Sequence, residues 1–106
     1  MTMTMPYTKR VALALYYFHA QCGADFVEIR KIREAPSSQF GNVDPRWIQR
    51  ACRQLVDEAL LEADEANVPN SYDGGKFNIT SAGISKVEAE MAEFGVGSVL
   101  DYLGRL

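Results

Sequence analysis

Three features of the 106-residue sequence predict a mostly helical α+β domain. Apolar residues recur at helical spacing over 8–22 and again over 44–59. Two short alternating stretches, 61–66 and 76–79, flank a segment dense in turn residues. A further helical pattern opens directly after the second stretch, behind Thr80 and Ser81.

The first helix is expected over 8–22, with Thr8 as its N-cap and Gly23 as its glycine stop. Val11, Leu15, Phe18 and Cys22 form one stripe, and Ala12, Leu13, Ala14, Tyr16 and Tyr17 fill most of the remaining surface. A helix apolar nearly all round is either central in its domain or shared with a partner subunit. Asp25 with Glu28 approximates a capping box and predicts a short second helix to about Ala35, with Phe26, Ile29 and Ile32 inward. Pro36 ends it. After a polar loop, Asp44-Pro45 sets an acidic N-cap before a proline at the first helical position. In the third helix Ile48, Ala51, Cys52, Leu55 and Ala59 fall in a wedge about 100° wide, and Trp47 beside it is expected as a packing anchor rather than a stacking platform, the less common alternative. The stretch 61–66 reads as a strand, 67–75 as a turn and Lys76-Phe77-Asn78-Ile79 as the returning strand. Thr80 or Ser81 caps a last helix over about 82–94 with Ile84, Val87 and Met91 inward. The order divides the chain into an N-terminal arm (1–7), a body (8–94) and an apolar tail (95–106), in which 99–103 has the makings of a further short helix.

Composition narrows the class. With 47% hydrophobic and 24% charged residues, the chain has the balance of a single globular domain and not of a disordered segment. No apolar run approaches the roughly 20 residues needed to span a bilayer, and the Met-Thr start lacks signal-peptide zones. Cys22 and Cys52 are too few for a disulfide scaffold and lack metal-ligand spacing. The expectation is a cytoplasmic protein without metal or cofactor. No nucleophile–base pair with an orienting third group and no glycine-rich phosphate loop is visible, so an enzyme is not expected. His19, three residues before Cys22, is read with it as core packing and not as a catalytic or metal pair.

The net charge of −3 argues against a protein that coats nucleic acid non-specifically. It conceals an asymmetry, however: over 7–60 basic residues outnumber acidic ones by two, and over 61–106 acidic residues outnumber basic ones by five. The first half is therefore the side suited to an anion. Within it, Arg46, Arg50 and Arg53 lie within about 60° of one another on the third helix, nearly opposite its apolar wedge, with Gln49 and Gln54 flanking them.

The order helix, short helix, loop, helix, strand, turn, strand, helix resembles the winged helix-turn-helix family over about residues 8–94. The stretch Ile48-Gln49-Arg50-Ala51-Cys52-Arg53-Gln54-Leu55-Val56-Asp57-Glu58-Ala59-Leu60-Leu61-Glu62 looks like that family's recognition helix running into the first wing strand, with Ala59 where a glycine is usual. Ile79-Thr80-Ser81-Ala82-Gly83-Ile84 looks like the passage from the second wing strand to a helix. The resemblance implies a two- or three-stranded β-wing followed by a C-terminal helix, and double-stranded DNA as partner. Arg50 would read base edges in the major groove, Arg46 and Arg53 would flank it, and Gln49 and Gln54 would assist. Arg30, Lys31 and Arg33 on or beside the second helix, and Lys76 on the wing, would meet phosphates. It also implies a homodimeric transcription regulator. The apolar tail and first helix supply the candidate interface: Tyr16, Val99, Leu100, Tyr102 and Leu103. A second reading is a winged helix that binds protein and not DNA, as an adaptor or assembly subunit. It is favoured by the acidic C-terminal half and by a wing poor in basic residues.

Overall fold

The computed structural model describes residues 5–34, 43–64 and 75–106. Five helices and three strands follow one another as α1 (Tyr7–Gln21), β1 (Val27–Glu28), α2 (Ile29–Glu34), α3 (Pro45–Asp57), β2 (Leu61–Ala63), β3 (Lys76–Ile79), α4 (Ser81–Phe94) and α5 (Val99–Arg105). The strands form one antiparallel sheet in the order β1-β3-β2. Val27 pairs with Phe77 and Glu28 with Lys76 on one side of β3, and Leu61 pairs with Ile79 and Ala63 with Phe77 on the other. The polar loop and most of the turn expected from the sequence fall at 35–42 and 65–74, outside the described residues.

α1 is the central helix. Val11 through Tyr17 are all buried, and the helix packs against α3, α4, α5 and β3. Its all-round apolarity is thus used within one chain. Tyr16 crosses under the sheet: its ring meets Phe77 edge-on with centroids 6.1 Å apart, and its hydroxyl donates to the Val27 carbonyl at 2.8 Å. That bond satisfies a polar group that would otherwise be costly to bury. Thr8 does not cap α1, because the helix begins one residue earlier, with Pro6 at the cap position and no side-chain cap bond.

The expected capping box at Asp25 is not formed. Val27 and Glu28 are drawn into the sheet, α2 starts only at Ile29, and Phe26 is exposed. Ile29 and Ile32 are buried as expected. Asp44 caps α3, its carboxylate accepting from the Arg46 backbone N–H at 2.9 Å. Thr80 caps α4, its hydroxyl accepting from the Gly83 N–H at 3.1 Å.

Three helices end in the same way. After α1, α3 and α4, one N–H bonds back across five residues and the preceding N–H across three: Ala24 to His19 and Gly23 to Ala20, Leu60 to Leu55 and Ala59 to Val56, Val96 to Met91 and Gly95 to Ala92. This is the Schellman pattern, which needs a left-handed residue at its turn. Glycine supplies it twice, at Gly23 (φ 90°) and Gly95 (φ 68°). Ala59 supplies it at the end of α3, with φ 62°. Ala59 therefore lies outside the helix and exposed, and is not part of the apolar wedge.

The tail is not a free segment. Ser98 caps α5, accepting from the Asp101 N–H at 3.2 Å, and α5 packs on α1 and α4. Tyr16, Val99, Tyr102 and Leu103 are each 4% exposed or less. Of the five residues expected at a dimer interface, these four are consumed by the chain's own core, and Leu100 alone, at 55%, faces outward. The Tyr102 hydroxyl donates to the Glu90 carboxylate, whose oxygen also lies 3.6 Å from Arg10 Nε. No described helix is long and apolar enough to cross a membrane.

Candidate nucleic-acid interface

α3 presents two faces with opposite chemistry. Ile48, Ala51, Cys52 and Leu55 are buried against the body. Full burial of Cys52 pushes its thiol well above the ordinary range. Arg46, Arg50, Arg53 and Gln54 are exposed and Gln49 is half-buried, so the arginines expected on the outer face of the helix do lie at the surface.

The three guanidinium groups have different surroundings. Arg46 is held at the helix start by the carboxylate that caps it: Nε lies 3.2 Å from each Asp44 oxygen, and Nη2 lies 2.9 Å from Oδ2. Arg53 leans toward the sheet, with Cζ 6.0 Å from the centre of the Phe77 ring, a cation–π geometry. Arg50 lies between them and lines a groove of about 250 Å³ with Pro6, Thr8, Lys9, Trp47, Ala51 and Gln54. Lys9 at its edge is paired with Glu58. Arg50 and Gln54, expected from the sequence as DNA contacts, thus share one concavity with Thr8 and Lys9 from the start of α1.

A second basic site gathers residues that the sequence places far apart. Lys31 of α2 and Lys76 of β3 line one groove of about 240 Å³ with His19, Phe26 and Glu28. The link is the β1–β3 register, which sets Glu28 opposite Lys76. Arg30, also expected to meet phosphate, is exposed on α2. Burial lowers the pKa of His19, its Nε2 is buried without a hydrogen-bond partner, and its ring stands edge-on to Phe18. Cys22, expected to pack with His19, is exposed.

Trp47 corrects the expectation of a packing anchor. It is 59% exposed and forms a wall of two grooves, the Arg50 groove and a larger apolar one of about 400 Å³ lined by Tyr7, Thr8, Val11, Val43 and Asp44. Its place one residue ahead of Ile48, at the rim of the apolar wedge, was the only sequence signal, and such a rim position is compatible with either fate.

No family model, curated protein or solved structure matches the chain. Its architecture is that of a small, mostly helical α+β domain with a three-stranded antiparallel sheet and C-terminal helices.

Proposed function

We propose that this chain is a winged helix-turn-helix domain that binds double-stranded DNA in a sequence-dependent way and acts as a homodimeric transcription regulator. The observation that carries the reading is Arg50: an exposed guanidinium at the middle of α3, opposite its buried wedge, with Arg46 and Arg53 on either side. A planar guanidinium on an outward helix face can pair bidentately with guanine O6 and N7 in the major groove. Two features support the winged reading. Strand β1 between α1 and α2 pairs with β3, and β2–β3 directly follows α3 as a hairpin beside it. Lys31 and Lys76, which share a groove, the exposed Arg30, and Lys9 in the groove of Arg50 are further cations suited to phosphates. The homodimer rests on the exposed apolar side chains of the C-terminal helices, Phe94 and Leu100.

The test is fluorescence-anisotropy titration of a labelled pool of random duplex DNA across a salt series, with wild type beside an Arg46/Arg50/Arg53→Ala variant. Wild type is expected to bind with a steep negative salt dependence that the triple variant loses. Absence of binding by folded wild type at low salt would overturn the reading. It would favour the protein-binding alternative, which is supported by the engagement of Arg46 with Asp44 and of Lys9 with Glu58.

A further inference from the structure

Trp47 is the chain's single tryptophan, and its indole is the most exposed of the large hydrophobic side chains described. It belongs to α3 and has Ile48, the first core residue of that helix, directly after it. Its backbone is therefore fixed by the cap at Asp44 and by the buried wedge, while its side chain stands out as a ridge. Trp47 lines both the groove of Arg50 and Gln54 and the apolar groove shared with Tyr7, itself 52% exposed. An indole left in water on a rigid helix, within a groove's width of an exposed guanidinium, combines an apolar face with a cation. A deoxyribose-phosphate strand offers the complementary pair, a sugar face next to an anion.

Resting on the DNA-binding reading above, we infer that Trp47 is a DNA contact residue, its indole packing on a deoxyribose of the backbone beside the site of Arg50. The contact is apolar, so it adds affinity without sequence preference and without displacing counterions. That separates it from every arginine and lysine of the surface, whose removal flattens the salt dependence.

The sole tryptophan makes the test direct. The full chain is titrated with random duplex DNA while anisotropy of labelled DNA and tryptophan emission are followed together. Trp47→Ala and Trp47→Phe are measured beside wild type, their folding checked by circular dichroism. The inference expects the emission to change with the same midpoint as the anisotropy. It expects Trp47→Ala to bind about tenfold more weakly at every salt concentration, as burial of an aromatic face implies, with the slope of log K against log salt unchanged. Trp47→Phe should recover most of the loss.

Binding by anisotropy with unchanged emission, and Trp47→Ala binding like wild type, would overturn the contact and leave the DNA reading standing. No binding at low salt by folded wild type would overturn both. An emission shift that follows protein concentration without DNA, at the mass of a dimer by sedimentation, would overturn the contact by showing that a second copy covers the indole.

Discussion

The hydroxyl of Thr80 donates to the carbonyl of Ala59 at 2.7 Å, tying the first residue beyond β3 to the left-handed turn that ends α3. The Thr80 backbone N–H donates to Leu60 O at 3.1 Å, and the same hydroxyl accepts from the Gly83 N–H. One threonine thus starts α4 and fastens it to the corner between α3 and β2. Gly83 completes the joint, since a Cβ there would stand 2.2 Å from Leu60 O and 2.6 Å from Ile79 Cγ1. Two substitutions at this joint should act with opposite sign. Ala59→Gly removes the left-handed penalty of a Cβ and is expected to stabilise by about 0.5–1 kcal/mol after the entropy cost of glycine in the unfolded chain. Gly83→Ala must push α4 off the corner and is expected to destabilise by about 1–3 kcal/mol. Urea unfolding of the two variants reads both signs, and a loss of stability in Ala59→Gly would show that the turn is not strained.

The two cysteines should separate cleanly in reactivity. Cys22 is exposed just beyond α1, whereas Cys52 is fully buried on the core face of α3 with its thiol pushed up by desolvation. Because the thiolate is the reactive form, native protein at about pH 8 should release one equivalent of thionitrobenzoate from Ellman's reagent quickly. The second should appear only on unfolding. Cys22→Ser should abolish the fast equivalent, and its persistence would contradict the burial of Cys52.

His19 sets a pH dependence whose direction follows from its surroundings. Burial disfavours the imidazolium in the folded protein, so its folded pKa lies below the usual value of about 6.5. As pH falls through that value the unfolded chain takes up a proton that the folded chain resists, and stability is lost until the folded pKa is passed. The urea midpoint should therefore fall as the pH drops below about 6.5, and His19→Gln should flatten this part of the profile. An equally steep fall in the variant would assign it to other groups.

What was legible in the sequence was local chemistry. Asp44-Pro45, the helix stop at Gly23, the strand over 76–79 and the cap at Thr80 each carry their own signal within a few residues, and each stands where that signal puts it. What was not legible depended on residues far along the chain. Val27 and Glu28 leave the helix that Asp25 would cap because Phe77 and Lys76, about fifty residues later, offer a strand to pair with. The tail shows the same limit: apolarity marks Val99, Tyr102 and Leu103 for burial but does not say what covers them, and α1 and α4 do so within the chain. At the candidate site the spacing of the arginines gave a common face but not their engagements. Asp44 was legible as a cap, not as the carboxylate that also holds the Arg46 side chain, and Phe77 as the seat of Arg53 lies across the sheet.

The double use of Asp44 gives a gain-of-function test of the DNA surface. Its carboxylate caps α3 through the Arg46 backbone N–H and pairs with the Arg46 guanidinium. The pair is exposed and adds little to stability, but it holds in place a cation that DNA would otherwise engage. Asparagine retains an oxygen that can accept the cap bond and ranks with aspartate at this position, while the negative charge beside the arginine is removed. Asp44→Asn is therefore expected to leave the urea midpoint nearly unchanged, to bind duplex DNA several-fold more tightly, and to steepen the slope of log K against log salt by about 0.9 as one more phosphate is neutralised. Asp44→Ala removes the same carboxylate from the guanidinium and also loses the cap, and should cost about 1 kcal/mol of stability for a similar gain in binding. Coupling with Arg46→Ala decides the assignment. If the gain from Asp44→Asn disappears in the double variant, the released guanidinium is its source. If it persists, the gain comes from the lost negative charge alone and Arg46 is not a DNA contact.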